Sequence, residues 1–292
     1  MSLSNRLKRY QQKYYASGSP LRFLRKAALM VSKPGATASR ARVGAKVTEK
    51  MSDDARKRVD ELNRTGYVEA GSEIDPALLA ELDKLATERL ESGERGRKLR
   101  SFFTALSTPD DLRSDHILAR FALQPGVQEV VCAYFGGKVP YLADLTLLLS
   151  HGSDETKWKE SQLWHRDYAD SKTIKLWVYH TDVDTLEKGP FTYLPLEASG
   201  KVKNRLFPGR VLDEEVTAAG LDPEVTQVYG KRLKTFYIDT ARCYHLGSRL
   251  KGENVRLAYV ATFITHAPLY PISNKIKTSG SESEAERLFL TI

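Results

Sequence analysis

From Val139 onward the chain is written in short runs rich in β-branched and aromatic residues, each closed by turn residues. These runs are "VPYLADLTLLLS", "TIKLWVYHTDV", "PFTYLPL", "KTFYIDT" and "NVRLAYVATFIT". Runs of that length and texture are strands. Several in succession after a helical start predict an α+β fold: a sandwich or jelly roll with helices on one side.

The half before Val139 supplies the helices. Ser52 or Asp53 caps one that runs to about Leu62, and "TGYVEAG" follows as a short strand entered through Gly66. "DPALLAELDKLATERLES" begins with an acid and Pro76, and Leu78, Leu79, Leu82, Leu85 and Ala86 form one apolar stripe. "PGVQEVVCAYFGG" is a short helix stopped at Gly136-Gly137. "FPGRVLDEEVTAAGLDPEVTQVYG" interrupts the strands with a long irregular stretch, which reads as a lid. The body is therefore expected over residues 51–270, with an arm and linker over 1–50 and a tail over 271–292.

Charge separates the arm from the body. Residues 1–50 hold 12 Lys or Arg and one acid, Glu49, so the arm is +11; the net charge of +8 leaves −3 for the rest. Leu3, Leu7, Tyr10 and Tyr14 share a helical face, and Leu21, Leu24, Ala28 and Val31 repeat the pattern after the Ser17-Gly18-Ser19-Pro20 break. A basic amphipathic helix lies on an anionic membrane, follows nucleic acid, or packs on its own body. The slightly acidic body ranks a membrane surface above nucleic acid. "SKPGATASRARVGAK", residues 32–46, reads as a linker. Near the N-terminus the longest apolar run is Ala27 to Val31, so neither a span nor a secretory signal is expected there. Cys132 and Cys243 are too few for a metal cluster and point to reduced thiols in a cytoplasm.

The chemistry is concentrated in "LWHRDYADSKTIKLWVYHTDVD". In a strand, residues two apart share a face, so His165 and Asp167 can reach one point. An imidazole and a carboxylate make an incomplete site; a second histidine would complete the 2-His-1-carboxylate triad that leaves three positions open on Fe(II). Of the others, His116 reads as a surface or capping residue and His151 sits in a polar turn. His180 can face either way, and His266 ends the sheet region. His245, after an apolar strand and before Gly247, is the best placed. Eleven residues on, Arg256 opens a strand with a guanidinium suited to a dicarboxylate co-substrate. Asp239 reads as a turn-capping acid, and Arg242 and Arg249 as solvated charges. Lys175 shares a strand with Trp177, but the pattern does not say which face is inner.

Together, "WHRD", "VDTLEKGPFTYLPLEAS", "CYHLGSR…NVR" and the entry "GYVEAGSEIDPALLAELDKL" resemble the phytanoyl-CoA dioxygenase-like family of Fe(II)/2-oxoglutarate-dependent oxygenases, from about Met51 to Pro268. The resemblance implies a cupin-like double-stranded β-helix and makes His165, Asp167 and His245 the iron ligands. It makes Arg256 the clamp for the distal carboxylate of 2-oxoglutarate, sets Trp177 in the co-substrate pocket, and gives Arg166 a polar contact there. Dioxygen would be the second co-substrate and hydroxylation the outcome, because halogenating relatives replace the carboxylate held here by Asp167. One departure is Pro195-Leu196-Glu197-Ala198-Ser199, where many relatives read Pro-Gly-Ser-His. Since that loop frames the substrate entrance, the substrate stays open among small molecules and lipid- or glycan-linked compounds. A jelly-roll binding protein without catalysis is the alternative, as is a protein acting through its basic arm alone.

Overall fold

Alternation along the strands gives the large sheet an apolar core on each of its two faces. The computed structural model describes residues 21–292 apart from 94–95, 155–156, 203–209, 248 and 271–275. The first helical stripe of the arm, Leu3 to Tyr14, lies outside the described residues.

The helical part comprises α1 (Leu21–Ser32), α2 (Pro34–Thr48), α3 (Asp53–Thr65), β1 (Tyr67–Glu69) and α4 (Pro76–Glu91). There follow β2 (Arg97–Arg100), β3 (Phe103–Ala105), α5 (Ile117–Ala122) and α6 (Pro125–Tyr134). Ser52 Oγ accepts from Ala55 N at 3.2 Å at the start of α3. Asp75 accepts from Ala77 N at 2.8 Å ahead of Pro76 in α4, so the caps stand where the pattern placed them. The strand-rich part comprises β4 (Tyr141–His151), β5 (Thr173–Tyr179), β6 (Phe191–Tyr193), α7 (Leu196–Lys201), α8 (Asp213–Ala218) and β7 (Thr226–Val228). It continues with β8 (Thr235–Asp239), β9 (His245–Leu246), β10 (Val255–Ile264) and α9 (Glu284–Leu290).

A seven-stranded antiparallel sheet runs in the order β1-β8-β5-β10-β4-β3-β2, and a smaller one runs β7-β6-β9. Leu176, Val178, Tyr237, Leu257 and Tyr259 on one face of the large sheet pack with Leu62, Leu82 and Val131 from the helices. Trp177, Phe236, Ala258 and Val260 on the opposite face meet Phe191 and Tyr193 of the small sheet. Two sheets closed over a shared interior, with helices outside the larger one, make the expected α+β jelly roll.

Three segments differ from their sequence readings. The stretch 32–46 is not a linker: most of it is α2, whose Arg40 and Val43 are buried. Its small residues permit close approach, since a Cβ on Gly44 would stand 2.4 Å from the Gly137 carbonyl oxygen. The stretch 207–230, from residue 210 on, is a packed layer rather than an irregular lid. Val211, Val216 and Leu221 bury against Trp164 and Leu246 on the outer side of the small sheet. The tail is part of the main core, because α9 inserts Phe289 edge-on to Phe263 at 6.0 Å.

Helix α1 docks by its cations. Lys26 Nζ reaches Asp170 Oδ1 at 2.5 Å and Thr265 Oγ1 at 3.0 Å, while Arg25 donates to Pro268 O. Phe23, Leu24, Met30 and Val31 are exposed. No helix among the described residues is long and apolar enough to cross a membrane.

Phe289 is fully buried, so Phe289→Ala should cost about 3–5 kcal/mol of unfolding free energy. A urea midpoint unchanged by the substitution would show the tail to be an appendage.

Candidate metal centre

The ligand segment is held by its backbone. His165 N donates to His245 O, and His245 N to His165 O, both at 2.9 Å. This antiparallel pair adds Trp164–His165 to the small sheet beside β9 and sets both side chains on one face. Asp167 N donates to Thr240 O at 2.7 Å, fixing the third residue two positions on. Asp239 Oδ1 accepts from Ala241 N and Arg242 N at 3.0 and 3.1 Å, capping the turn that leads to His245 as its sequence context indicated. Arg242 is no free surface charge, for its Nε donates to Asp239 Oδ2 at 2.5 Å. Arg249 likewise pairs with both oxygens of Asp213.

One ligand atom from each of His165, Asp167 and His245 lies within 4.8 Å of the others. His165 Nδ1 is 2.8 Å from Leu163 O and His245 Nδ1 is 3.1 Å from Cys243 O. A carbonyl only accepts, so each Nδ1 carries the proton and each Nε2 presents a lone pair. The other four histidines are engaged elsewhere: His116 caps α5, while His151, His180 and His266 meet Thr104, Asp83 and Thr37.

Electrostatics suits the same purpose. Burial pushes the His245 imidazole down to about 4. Burial, and then repulsion from His245, holds His165 well below its ordinary range. Burial opposes ionisation of Asp167, yet the Lys175 ammonium, 2.7 Å from Oδ2, and the two imidazoles keep its carboxyl well below the usual carboxylate range. Two neutral imidazoles and one carboxylate form a donor set that fits a divalent first-row metal.

Arg256 lies deeper, fully buried on β10. Its Nη1 donates to Gly189 O, Nη2 is 3.5 Å from Ser150 Oγ, and its guanidinium carbon stands 5.8 Å from the Trp177 ring centre. A Cβ on Gly247 would lie 3.9 Å from Nη2, so this glycine lets the chain after His245 pass close to the guanidinium. Trp177 is buried against Phe236, and its Nε1 has no acceptor among the described residues. A buried N–H beside a buried guanidinium is a cradle for a carboxylate.

Arg166 is a correction to the sequence reading. Sitting between two residues that face the interior, it faces the other way and stacks its guanidinium 4.9 Å over the Tyr244 ring. Two site residues were not picked out as such from sequence. Lys175 pairs with Asp167, and Phe191 stacks on the His245 ring with centres 5.5 Å apart. The alternation that makes Trp177 inward also makes Lys175 inward, but only the fold says which face that is.

No family model and no curated protein matches the chain. Solved structures do resemble it in fold. EctD from S. alaskensis in its apoform has a TM-score of 0.53 at 15% identity, covering 78% of this chain and 82% of that one. The epimerase SnoN in complex with Fe3+, alpha ketoglutarate and nogalamycin RO has a TM-score of 0.50 at 20% identity, covering 73% and 84%. SnoK, a non-heme alpha ketoglutarate dependent carbocyclase from nogalamycin biosynthesis, has a TM-score of 0.50 at 15% identity, covering 75% and 86%. All three likenesses are to the jelly-roll fold.

With a folded value of about 4 for His245 against an ordinary 6.5, the unfolded chain binds more protons as pH falls through that window. Metal-free stability should therefore drop with pH there, His245 alone contributing on the order of 2 kcal/mol between pH 7 and pH 5. Urea unfolding should show a shallower pH dependence for His245→Gln; the same slope as in the parent would contradict a buried neutral imidazole.

Proposed function

We propose that the chain is an Fe(II)- and 2-oxoglutarate-dependent oxygenase of the phytanoyl-CoA dioxygenase-like kind. It would hydroxylate an unactivated C–H bond of a small-molecule, lipid-linked or glycan-linked substrate. The observation that carries this is the convergence of His165, Asp167 and His245, with both Nε2 lone pairs and an ionised carboxylate directed to one point. The sequence resemblance supports it, as do similarly folded proteins whose structures contain iron and alpha ketoglutarate, or 2-oxoglutarate and 5-hydroxyectoine.

His165, Asp167 and His245 would hold the ferrous ion. Bound iron supplies the coupling of dioxygen reduction to oxidative decarboxylation of 2-oxoglutarate, giving succinate and carbon dioxide. Arg256 would pair with the distal carboxylate of the co-substrate, and Trp177 Nε1 would donate to it. Phe191, Trp177 and Phe236 line an apolar interior that excludes water. Asp167 supports hydroxylation over halogen transfer, because it occupies the position that halogenating relatives clear. SnoN and SnoK act as epimerase and carbocyclase on a similar fold, so product analysis decides the outcome in this chain.

Anaerobic addition of Fe(II) and 2-oxoglutarate should give a weak visible charge-transfer band, lost in both His245→Ala and Asp167→Ala. Succinate should form from 2-oxoglutarate even without substrate, which a mere binding protein would not do. Arg256→Ala should weaken 2-oxoglutarate binding by roughly 30-fold or more while leaving iron affinity in place. Equal loss of both affinities would assign Arg256 a different role.

We further propose that the arm places the enzyme on an anionic membrane surface. Helix α1 turns Arg25 and Lys26 to the body and leaves Phe23, Leu24, Met30 and Val31 in solvent, a face that lipid would cover. The wild-type protein should float with phosphatidylglycerol vesicles, and Phe23→Glu/Val31→Glu should not. These substitutions test the surface without removing α2, which the core needs. Flotation retained in the double variant would refute the surface role.

A further inference from the structure

The small sheet continues one strand beyond the ligand segment. Val211 N donates to Trp164 O at 2.9 Å in an antiparallel bridge. Trp164 and Val211 both turn outward into the apolar layer with Val216 and Leu246. The neighbouring pair in that register, His165 and Arg210, therefore turns inward, toward the triad. Adjacent strands lie about 4.8 Å apart, which puts Arg210 on the strand next to His165 and about 10 Å from the His245 strand.

Arg210 is half-buried and forms no ion pair or hydrogen bond among the described residues. The acids nearest to it are committed elsewhere: Glu160 pairs with Arg100, and Asp167 with Lys175. A half-buried guanidinium whose neighbouring carboxylates are each held by another cation loses solvation that its own fold returns only in part. A carboxylate or phosphate would return it through paired N–H donors.

Across the small sheet the order is β7, β6, β9, Trp164–His165 and Arg210–Val211. Arg256 meets the chain just before β6 through Gly189 O, on one side of β9, whereas Arg210 stands on the other side, beyond Trp164–His165. The two guanidiniums thus flank the triad and do not share one anion.

We propose that Arg210 binds an anionic group, carboxylate or phosphate, on the substrate to be oxidised, so that the enzyme takes an anionic metabolite or headgroup rather than a neutral one. This rests on the oxygenase reading only in calling the ligand a substrate; the anion site stands on its own geometry.

The test compares the wild type with Arg210→Met and Arg210→Lys. The metal-free proteins are titrated with inorganic phosphate and with acetate at constant ionic strength, following Tm. The anaerobic Fe(II) proteins are titrated with 2-oxoglutarate, following the charge-transfer band. The wild type should be stabilised by at least one of the two anions; phosphate alone would assign a phosphoryl group and acetate a carboxylate. Arg210→Met should bind that anion about tenfold more weakly or worse, Arg210→Lys should fall between, and 2-oxoglutarate affinity should change less than about threefold. No anion stabilisation in the wild type, or the same stabilisation in Arg210→Met, would overturn the proposal. A tenfold loss of 2-oxoglutarate affinity in Arg210→Met would also overturn it, by giving Arg210 to the co-substrate. If the wild type forms no charge-transfer band, the oxygenase reading fails, and the phosphate and acetate titrations still decide the role of Arg210.

Discussion

Two reciprocal hydrogen bonds between the main chains of His165 and His245 hold the site together. They join a segment eighty residues before the distal histidine to β9 and decide that both imidazoles share a face. Directly paired residues in an antiparallel ladder have Cα atoms about 5.5 Å apart. Such spacing lets two imidazole nitrogens converge without distortion of either backbone. The ring centres lie 4.3 Å apart. Everything else at the centre adjusts to this pairing. Asp167 enters by alternation, Thr240 fixes its backbone, and Phe191 closes the far side of the His245 ring.

That arrangement has an electrostatic cost, which the surroundings offset. Two imidazoles in contact cannot both be charged in a dry interior, and neither is: burial keeps both neutral, with the proton on the nitrogen that faces a carbonyl. The carboxylate is ionised because Lys175 stands on the large sheet opposite it. The site therefore draws on both sheets, and closure of the jelly roll is a condition of its charge state rather than a scaffold alone.

Much of this was legible in the chain because the relevant pattern is local. His-x-Asp states its own geometry once it lies in an extended segment, and the strand runs after Val139 announce a sheet. His245, after an apolar strand, stood out as the third member of the cluster, and the fold brings it to within 4.8 Å of the other two. Long-range pairing is not written in any one window. Arg210 acquires its meaning only from Trp164, forty-six residues earlier in the sequence, and Lys175 only from which face of β5 the helices cover. Arg166 was misplaced because the resemblance, rather than the alternation of its own segment, set it at the co-substrate. Residues 32–46 looked like a linker because small residues signal both flexibility and close packing. Gly44 against the Gly137 carbonyl shows the second meaning. The tail was set aside because a short helix carries little signal until the pocket that receives Phe289 is known.

The Lys175–Asp167 pair also bears on how many donors the protein would offer a metal at this point. Asp167 Oδ2 is taken by the ammonium at 2.7 Å, while Oδ1 faces the imidazoles, 3.9 Å from His245 Nε2. A carboxylate with one oxygen tied in this way offers the other as a single donor. In the proposed reading, three protein donors in place of four would leave positions on the iron open to the co-substrate and dioxygen. The lysine that sequence left unassigned would thus have a physical part in keeping such a centre open. It acts through the carboxylate it holds, from a sheet that contributes no metal ligand.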